Sequence, residues 1–198
     1  MRVNDLDIRP ASTALLLMDL QNGIVGSYPE TDRLIERLLV ARAAAREAGV
    51  TVGYVRVALT ADDVAAMPAT SQFAGAVASG RLDAEAPATQ IDERIAPADG
   101  DIVVRKSRVG AFSTTDLREQ LRERGIDTLV LAGVATSGVV LSTVRDAADR
   151  DYRILVLEDG CADRDPEVHR VLLEKVLPRQ ATVTTVDAFV AALHATEG

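Results

Sequence analysis

The fold is decided by the stretch Leu131-Ala-Gly-Val-Ala-Thr-Ser-Gly-Val-Val-Leu-Ser-Thr-Val-Arg-Asp146. It follows an apolar run at residues 128–131 and continues into small and apolar residues at helical spacing. This pattern predicts a strand, a tight turn and a buried helix. The first N–H groups of such a helix have no partner within it, and the helix dipole favours negative charge there. We therefore expect residues 137–140 to hold a developing oxyanion or a substrate carboxylate.

Two further apolar runs end in charged residues. Residues 13–18 are followed by Asp19, and a second run, which begins at Asp101, ends at Lys106. In an open parallel sheet, the ligand crevice lies beyond the carboxyl ends of the strands. We therefore expect Asp19, Lys106 and the turn at residues 135–139 to lie at one edge of the sheet.

Strand and helix patterns alternate along the chain. The predicted strands are residues 13–18, 50–57, 102–104, 128–131, 153–157 and 182–185. The predicted helices are residues 31–48, 117–124, 137–149, 165–176 and 187–194. This order predicts a doubly wound, mostly parallel α/β sheet with helices on both faces. A chain of 198 residues suffices for one such domain, so we expect a single domain over residues 1–198.

The composition excludes several classes of protein. The formal net charge of −8 argues against a nucleic-acid or anionic-membrane partner. No segment approaches the roughly 18 uninterrupted apolar residues of a membrane span, and the charged first ten residues contain no apolar h-region of a secretory signal. The single cysteine cannot form an internal disulfide, so the cytoplasm is the expected location.

Three motifs resemble those of the isochorismatase-like hydrolase superfamily, also called the cysteine hydrolases. They are Asp19-Leu-Gln-Asn22, Lys106 with Phe112 after five residues, and Gly133-Val-Ala-Thr136, and the resemblance runs over about residues 13–185. It implies the strand order 3-2-1-4-5-6, a cis peptide before Ala135 and a homo-oligomer. In the amidohydrolase members, an aspartate deprotonates a nucleophilic cysteine and a lysine holds that aspartate. The position of that cysteine is Val139 here, which has no nucleophile.

The same resemblance implies an enzyme, because isochorismatases also lack the cysteine. We expect hydrolysis of a vinyl ether or a C–N bond in a small, anionic substrate, with Asp19 and Lys106 as the catalytic pair. Delivery of a proton to carbon needs a raised pKa at Asp19. Burial raises that pKa and Lys106 lowers it, and the sequence leaves the balance open. Two alternatives also stay open: a buried ion pair without chemistry, and an inactive relative that binds small molecules or serves as an assembly subunit.

The other candidate site residues are expected to contact the substrate. They are Gln21, Phe73, Ala135, Thr136, Ser137, Gly138 and Val139. Phe73 belongs to an irregular excursion at residues 59–100, which is typical of a lid, a substrate-facing loop or an oligomer surface. Core packing of that excursion is the alternative role for Phe73.

The remaining reactive side chains point to no metal and no organic cofactor. Metal-binding members of the superfamily carry an Asp-x-His pattern and a second histidine after the second strand, whereas this chain has Arg56-Val-Ala-Leu-Thr60 there. His169 and His194 are expected in or beside surface helices. Cys161 is expected just past the fifth strand, more plausible as a small buried residue than as a displaced nucleophile.

Overall fold

The computed structural model describes residues 6–28 and 30–195. Its six strands form one all-parallel sheet in the order β3-β2-β1-β4-β5-β6, as the resemblance implied. The strands are β1 (Thr13–Met18), β2 (Thr51–Val57), β3 (Ile102–Lys106), β4 (Thr128–Val134), β5 (Arg153–Ala162) and β6 (Thr182–Thr184). The outermost parts of the expected domain, at residues 1–5 and 196–198, lie outside the described residues, as does half of the charged N-terminal stretch.

Eight α-helices are present in the described part of the chain. They are α1 (Asn22–Val25), α2 (Thr31–Glu47), α3 (Ala61–Ala65), α4 (Ala74–Ala78), α5 (Leu117–Glu123), α6 (Leu141–Ala148), α7 (Pro166–Val171) and α8 (Val186–His194). Local sequence explains several helix ends. Asp165 accepts hydrogen bonds from two N–H groups at the start of α7, and Pro166 occupies the first position, where no N–H is needed. No helix in these residues is long and apolar enough to cross a membrane.

Both faces of the sheet are covered, which accounts for the continuous apolar sequence of the central strands. Every residue of β1 and β4 is buried. Alternate side chains of β1 enter two different cores: Leu15 and Leu17 pack with α2 and α8, whereas Leu16 and Met18 pack with α5 and α6. A fully buried leucine stabilises a fold by roughly 2 kcal/mol, so the two cores hold the central strands rigidly.

The ends of β1 and β4 lie unusually close together. Met18 is paired with Gly133 in the parallel register, and Gly133 has a φ of 131°. A Cβ atom at Gly133 would lie 2.0 Å from the carbonyl oxygen of Met18, so only glycine fits there. This close approach places Asp19, which follows Met18, directly beside the turn after β4.

The structure extends three of the predicted strands. β3 reaches Lys106, β4 reaches Val134 and β5 reaches Ala162. The extra residues of β4 and β5 pair with each other after a register shift between Leu131 and Gly133, and this pairing was invisible in the sequence pattern. Cys161 therefore lies within β5. The predicted helix at residues 165–176 is divided into α7 and a π-helical segment, Leu172–Val176.

Candidate active site

Asp19 and Lys106 form a buried ion pair at the carboxyl edge of the sheet. Asp19 adopts a left-handed conformation with φ 57°, and its N–H donates to the carbonyl oxygen of Val55 at 2.8 Å. Lys106 is the last residue of β3, two strands away, and its side chain spans the end of β2. Its Nζ donates to Asp19 Oδ2 at 2.8 Å and to the carbonyl oxygen of Val109 at 2.6 Å. The side chain of Asp19 is 10% exposed, and that of Lys106 is 1% exposed.

Burial governs the charge state of this pair. It raises the pKa of Asp19 to about 6, although the charge and hydrogen bond of Lys106 act in the opposite direction. Burial likewise lowers the pKa of Lys106 from its ordinary value, against the attraction of Asp19. The balance that the sequence left open is therefore decided by desolvation.

One oxygen of the pair has no partner. Asp19 Oδ1 is the single buried side-chain oxygen or nitrogen atom in the described part of the chain that makes no hydrogen bond. Two of the three Nζ hydrogens of Lys106 are used by Asp19 and Val109, so a third remains to bind an acceptor. The pair thus presents an unused carboxyl oxygen and an unused cationic donor.

The turn after β4 begins with a cis peptide between Val134 and Ala135, where the resemblance implied one. A π-helical turn, Thr136–Val140, follows and continues into α6. The N–H groups of Gly138 and Val140 both donate to the carbonyl oxygen of Ala135, at 3.1 and 3.3 Å.

At the anion site expected over residues 137–140, the N–H groups of Ser137, Gly138 and Val140 already have protein acceptors, and anion binding there stays a prediction. The N–H of Ser137 donates to Asp163 Oδ2 at 2.7 Å, so a carboxylate of the protein already occupies the start of this helix. Asp163 directly follows β5, whose length the sequence underestimated. Neither Ser137 nor Gly138 has its N–H free for a substrate oxyanion in this structure.

The side chain of Val139 is almost fully buried. It is 2% exposed and packs in the core beneath α6, together with Val140 and Val144. Ala135 and Gly138 are partly exposed, and Ser137 is exposed. Contact of these residues, and of Thr136 and Val139, with a substrate stays a prediction.

The side chain of Gln21 holds separate backbone segments together by hydrogen bonds. Its Nε2 donates to the carbonyl oxygens of Val57 and Thr89 at 2.8 and 2.7 Å, and its Oε1 accepts the N–H of Val57 at 2.7 Å. Both amide hydrogens are therefore used by the backbone, which corrects the expectation that Gln21 contacts the substrate directly. The side chain instead ties the end of β2 and the excursion to the loop that carries Asp19.

Phe73 lies in the excursion at residues 59–100, which contains α3, α4 and two short 3₁₀ turns. It immediately precedes α4 and is partly exposed, and its N–H donates to Ser71 Oγ at 3.2 Å. Its contact with a substrate stays a prediction. Arg56, near the same excursion, donates to the carbonyl oxygens of Ala84 and Thr89.

Two residues at this edge were missed from the sequence, Asp163 and His169. His169 was placed on a surface helix, but its Nδ1 lies 2.8 Å from Thr136 Oγ1 in the turn. Residues that follow parallel strands lie at the carboxyl edge of the sheet, which is how Asp19 and Lys106 were assigned to the site. The same reasoning applies to the residues after β5, so it could also have identified Asp163. His169 lies on α7, and only the packing of α7 against the turn reveals it.

The thiol of Cys161 is buried and protonated. It is 5% exposed, and burial raises the pKa of its thiol to about 12. A thiol with such a pKa is almost wholly protonated at neutral pH, so Cys161 is not an activated nucleophile. The described residues contain no group of three or more His, Cys, Asp or Glu side chains arranged to hold a metal ion.

Comparison with known proteins agrees with this fold. The family model described as the isochorismatase domain matches residues 13–188. The isochorismatase family protein YecD of Escherichia coli O157:H7 is 33% identical, over 95% of this chain and 100% of YecD. The N-carbamoylsarcosine amidase of Arthrobacter sp is 31% identical, over 92% of this chain and 71% of the amidase. A cysteine hydrolase structure from Pseudomonas syringae pv. phaseolicola 1448A superposes with a TM-score of 0.86 at 24% identity, covering 98% of each chain.

The doubly wound parallel sheet, the family model and the amidase among the relatives define the class of protein: a hydrolase of doubly wound α/β architecture. The chain belongs to the isochorismatase family.

Proposed function

We propose that this hydrolase cleaves a vinyl ether in a small, anionic substrate without a covalent enzyme intermediate, with Asp19 as the proton donor. The observation that carries the proposal is the unpartnered Oδ1 of a buried carboxyl group whose pKa is raised to about 6. A carboxyl group with this pKa holds a proton on about one molecule in ten at pH 7, against about one in a thousand for an ordinary aspartate.

The reaction balances with one water molecule. Protonated Asp19 transfers its proton to the terminal carbon of the vinyl ether, and the ether oxygen stabilises the resulting cation. Water adds to that cation and returns a proton to Asp19. The resulting hemiketal then breaks down to a carbonyl compound and an alcohol.

Lys106 has two roles in this scheme. Its contact with Asp19 Oδ2 at 2.8 Å stabilises the carboxylate that remains after proton transfer. Its third N–H is the donor available to a carboxylate or carbonyl oxygen of the substrate. A cation buried to this degree attracts a substrate anion strongly, since little solvent screens the charge.

Hydrolysis of a C–N bond is the competing reaction, because the relatives include an enzyme named N-carbamoylsarcosine amidase. Val139 has no thiol that could form a thioester intermediate with an amide substrate. Amide hydrolysis here would therefore require ionised Asp19 to activate water. The two reactions therefore need opposite protonation states of the same carboxyl group. Their pH profiles separate them: kcat/KM falls above about pH 6 for the acid and rises through about pH 6 for the base.

A substrate panel of vinyl ethers, ureido acids, amides and esters tests the proposal on four proteins. We expect vinyl-ether turnover by the wild type, and a decrease in kcat/KM of about 100-fold or more for Asp19→Asn and Lys106→Met. Lys175→Met is the matched control, because Lys175 is the chain's only other lysine and is exposed. Equal rates for the wild type and Asp19→Asn would refute the proposal.

The alternative is an inactive relative that binds small molecules or serves as an assembly subunit, and Val139 at the cysteine position favours it. Absence of turnover on every class of the panel would support this alternative. The variant Val139→Cys then tests the rest of the site. If this variant gains amidase activity, the thiol was the only group that the site lacked for that chemistry. We also propose a homo-oligomer, which light scattering combined with gel filtration measures directly.

A further inference from the structure

The loop between β3 and α5, residues 107–116, supplies part of the surroundings of Lys106. The carbonyl oxygen of Val109 in this β3–α5 loop accepts a hydrogen bond from Lys106 Nζ at 2.6 Å. Asp19 Oδ2 accepts another at 2.8 Å. The ammonium group is therefore oriented by two acceptors, and one of them moves with the loop.

Hydroxyl groups hold the β3–α5 loop in its shape. The N–H of Ser107 donates to Thr114 Oγ1 at 3.0 Å, and Thr115 Oγ1 donates to the carbonyl oxygen of Ala111 at 2.6 Å. Both of these bonds join residues within the loop. They fix the shape of the loop but do not tie it to the rest of the fold.

Thr143 on α6 provides such a tie. Its Oγ1 accepts the N–H of Ala111 at 3.2 Å. Among the described residues, this is the loop's only hydrogen bond to a part of the chain beyond α5. Thr143 and Ala111 are both fully buried. A buried N–H without an acceptor is costly, so loss of this hydroxyl group would drive the loop towards another acceptor.

The contact at Ala111 lies close to the carbonyl that holds Lys106. Gly110 alone separates Ala111 from Val109. A Cβ atom at Gly110 would lie 3.6 Å from the Cβ atom of Ser142, the neighbour of Thr143 on α6. Ala111 and Phe112 also belong to the same buried core as residues of α6. A shift of the loop away from α6 at Ala111 would therefore displace the carbonyl oxygen of Val109.

We propose that Thr143 is a positioning residue of the active site, whose hydroxyl group holds the β3–α5 loop so that the Val109 carbonyl keeps Lys106 in place beside Asp19. The residue acts through the loop, and its side chain contacts neither member of the pair directly. Its importance for catalysis rests on the proposed function, in which Lys106 stabilises the ionised form of Asp19.

The pKa of Lys106 provides a measurement of this positioning that needs no substrate. Burial lowers this pKa, and the charge of Asp19, the one titratable group of the described residues that acts on Lys106, raises it. A carbonyl oxygen close to Nζ also favours the ammonium form. Displacement of Val109 should therefore lower the pKa further.

The chain has two lysines, Lys106 and Lys175, so protein labelled with ¹³Cε-lysine gives two NMR signals. Lys175→Met assigns them. Thr143→Val replaces the hydroxyl group by a methyl group of similar size. We expect this variant to lower the titration midpoint of Lys106 by about one pH unit. We also expect kcat/KM for the vinyl ether to fall about tenfold.

Thr13→Val is the matched control. Thr13 is also fully buried, and its Oγ1 donates to the carbonyl oxygen of Arg9 at 2.8 Å. It is the first residue of β1, so this hydrogen bond lies at the opposite edge of the sheet. The control variant should lose one buried hydroxyl contact but keep the Lys106 midpoint and the kcat/KM of the wild type.

A second pair of variants separates the hydroxyl group from packing. Thr143→Ser and Thr143→Ala both lose the methyl group, and they differ from each other only in the hydroxyl group. Thr143→Ser should keep the Lys106 midpoint of the wild type, whereas Thr143→Ala should show the lowered midpoint. This pair decides the question even if Thr143→Val does not fold.

Any of three results would overturn the inference: a wild-type Lys106 midpoint in Thr143→Val or Thr143→Ala, the same shift in Thr143→Ser and Thr143→Ala, or an equal shift in Thr13→Val. The NMR titrations require no turnover. Absence of vinyl-ether hydrolysis would refute the proposed function, while the Lys106 midpoints would still decide the role of Thr143.

Discussion

Asp19 should stabilise the folded protein at low pH and lose this contribution as the pH rises, which is the opposite of the usual behaviour of an aspartate. In the folded state, burial raises the pKa of Asp19 to about 6, whereas the ordinary value is 3.8. The folded state therefore binds this proton more tightly than the unfolded chain does. Protonation of Asp19 favours folding, and ionisation opposes it, so the contribution of this residue declines as the pH rises from about 4 to about 6.

The size of the effect follows from the shift. The pKa rises by about two units, and each unit corresponds to about 1.4 kcal/mol, so ionisation of Asp19 costs about 3 kcal/mol of unfolding free energy above pH 6. Other carboxyl groups act in the opposite direction. Asp92, for example, has a pKa lowered by its hydrogen bonds from Arg94 and stabilises the fold as the pH rises. The effect of Asp19 must therefore be measured as the difference in unfolding free energy between the wild type and a variant that lacks this carboxyl group.

Urea unfolding of the wild type and Asp19→Asn at several pH values between 4 and 7.5 provides that difference. The stability of the wild type relative to the variant should decrease by about 3 kcal/mol over this range. Carboxyl ¹³C NMR of Asp19 should show a midpoint near pH 6, which moves higher in Lys106→Met because the opposing positive charge is gone. A midpoint below pH 4, or parallel stability curves for both proteins, would refute the reasoning.

Three further predictions concern the residues that shape the site. Gly133→Ala should destabilise the protein by at least about 3 kcal/mol in urea unfolding, because its Cβ would lie 2.0 Å from the carbonyl oxygen of Met18. Gly49→Ala, also at positive φ but with open space around it, should cost only about 1–2 kcal/mol. Gln21→Leu should cost about 3 kcal/mol in the same assay, since it leaves buried backbone groups of Val57 unpaired. The Cys161 thiol should react with Ellman's reagent only after unfolding, and rapid reaction of the native protein would contradict its burial.

The approach of Asp19 to Lys106 was only partly predictable. Both residues follow apolar runs, and parallel strands bring such positions to one edge of a sheet. Their contact at 2.8 Å depends on β2 lying between β1 and β3, with Val57 opposite Lys106 in the register. The strand order came from the family resemblance, because periodicity along a chain contains no information about which strands are neighbours.

The turn after β4 shows the limit of reasoning from one segment. The sequence predicted free N–H groups at its start, and an isolated strand, turn and helix would have them. Asp163 fills one of these positions from 26 residues further along the chain. A carboxylate from elsewhere in the fold satisfies a helix terminus as well as a substrate does, so local sequence could not distinguish the two.

The sequence by itself determined the class of fold, the run of strands and helices, and the two charged residues at the strand ends, because these depend on short-range patterns of apolar and polar residues. The tertiary structure decided the pKa of Asp19, the occupation of the turn by Asp163 and the contact of His169 with Thr136. These properties depend on desolvation and on distances between segments remote in the chain, and both arise only when the strands pack together.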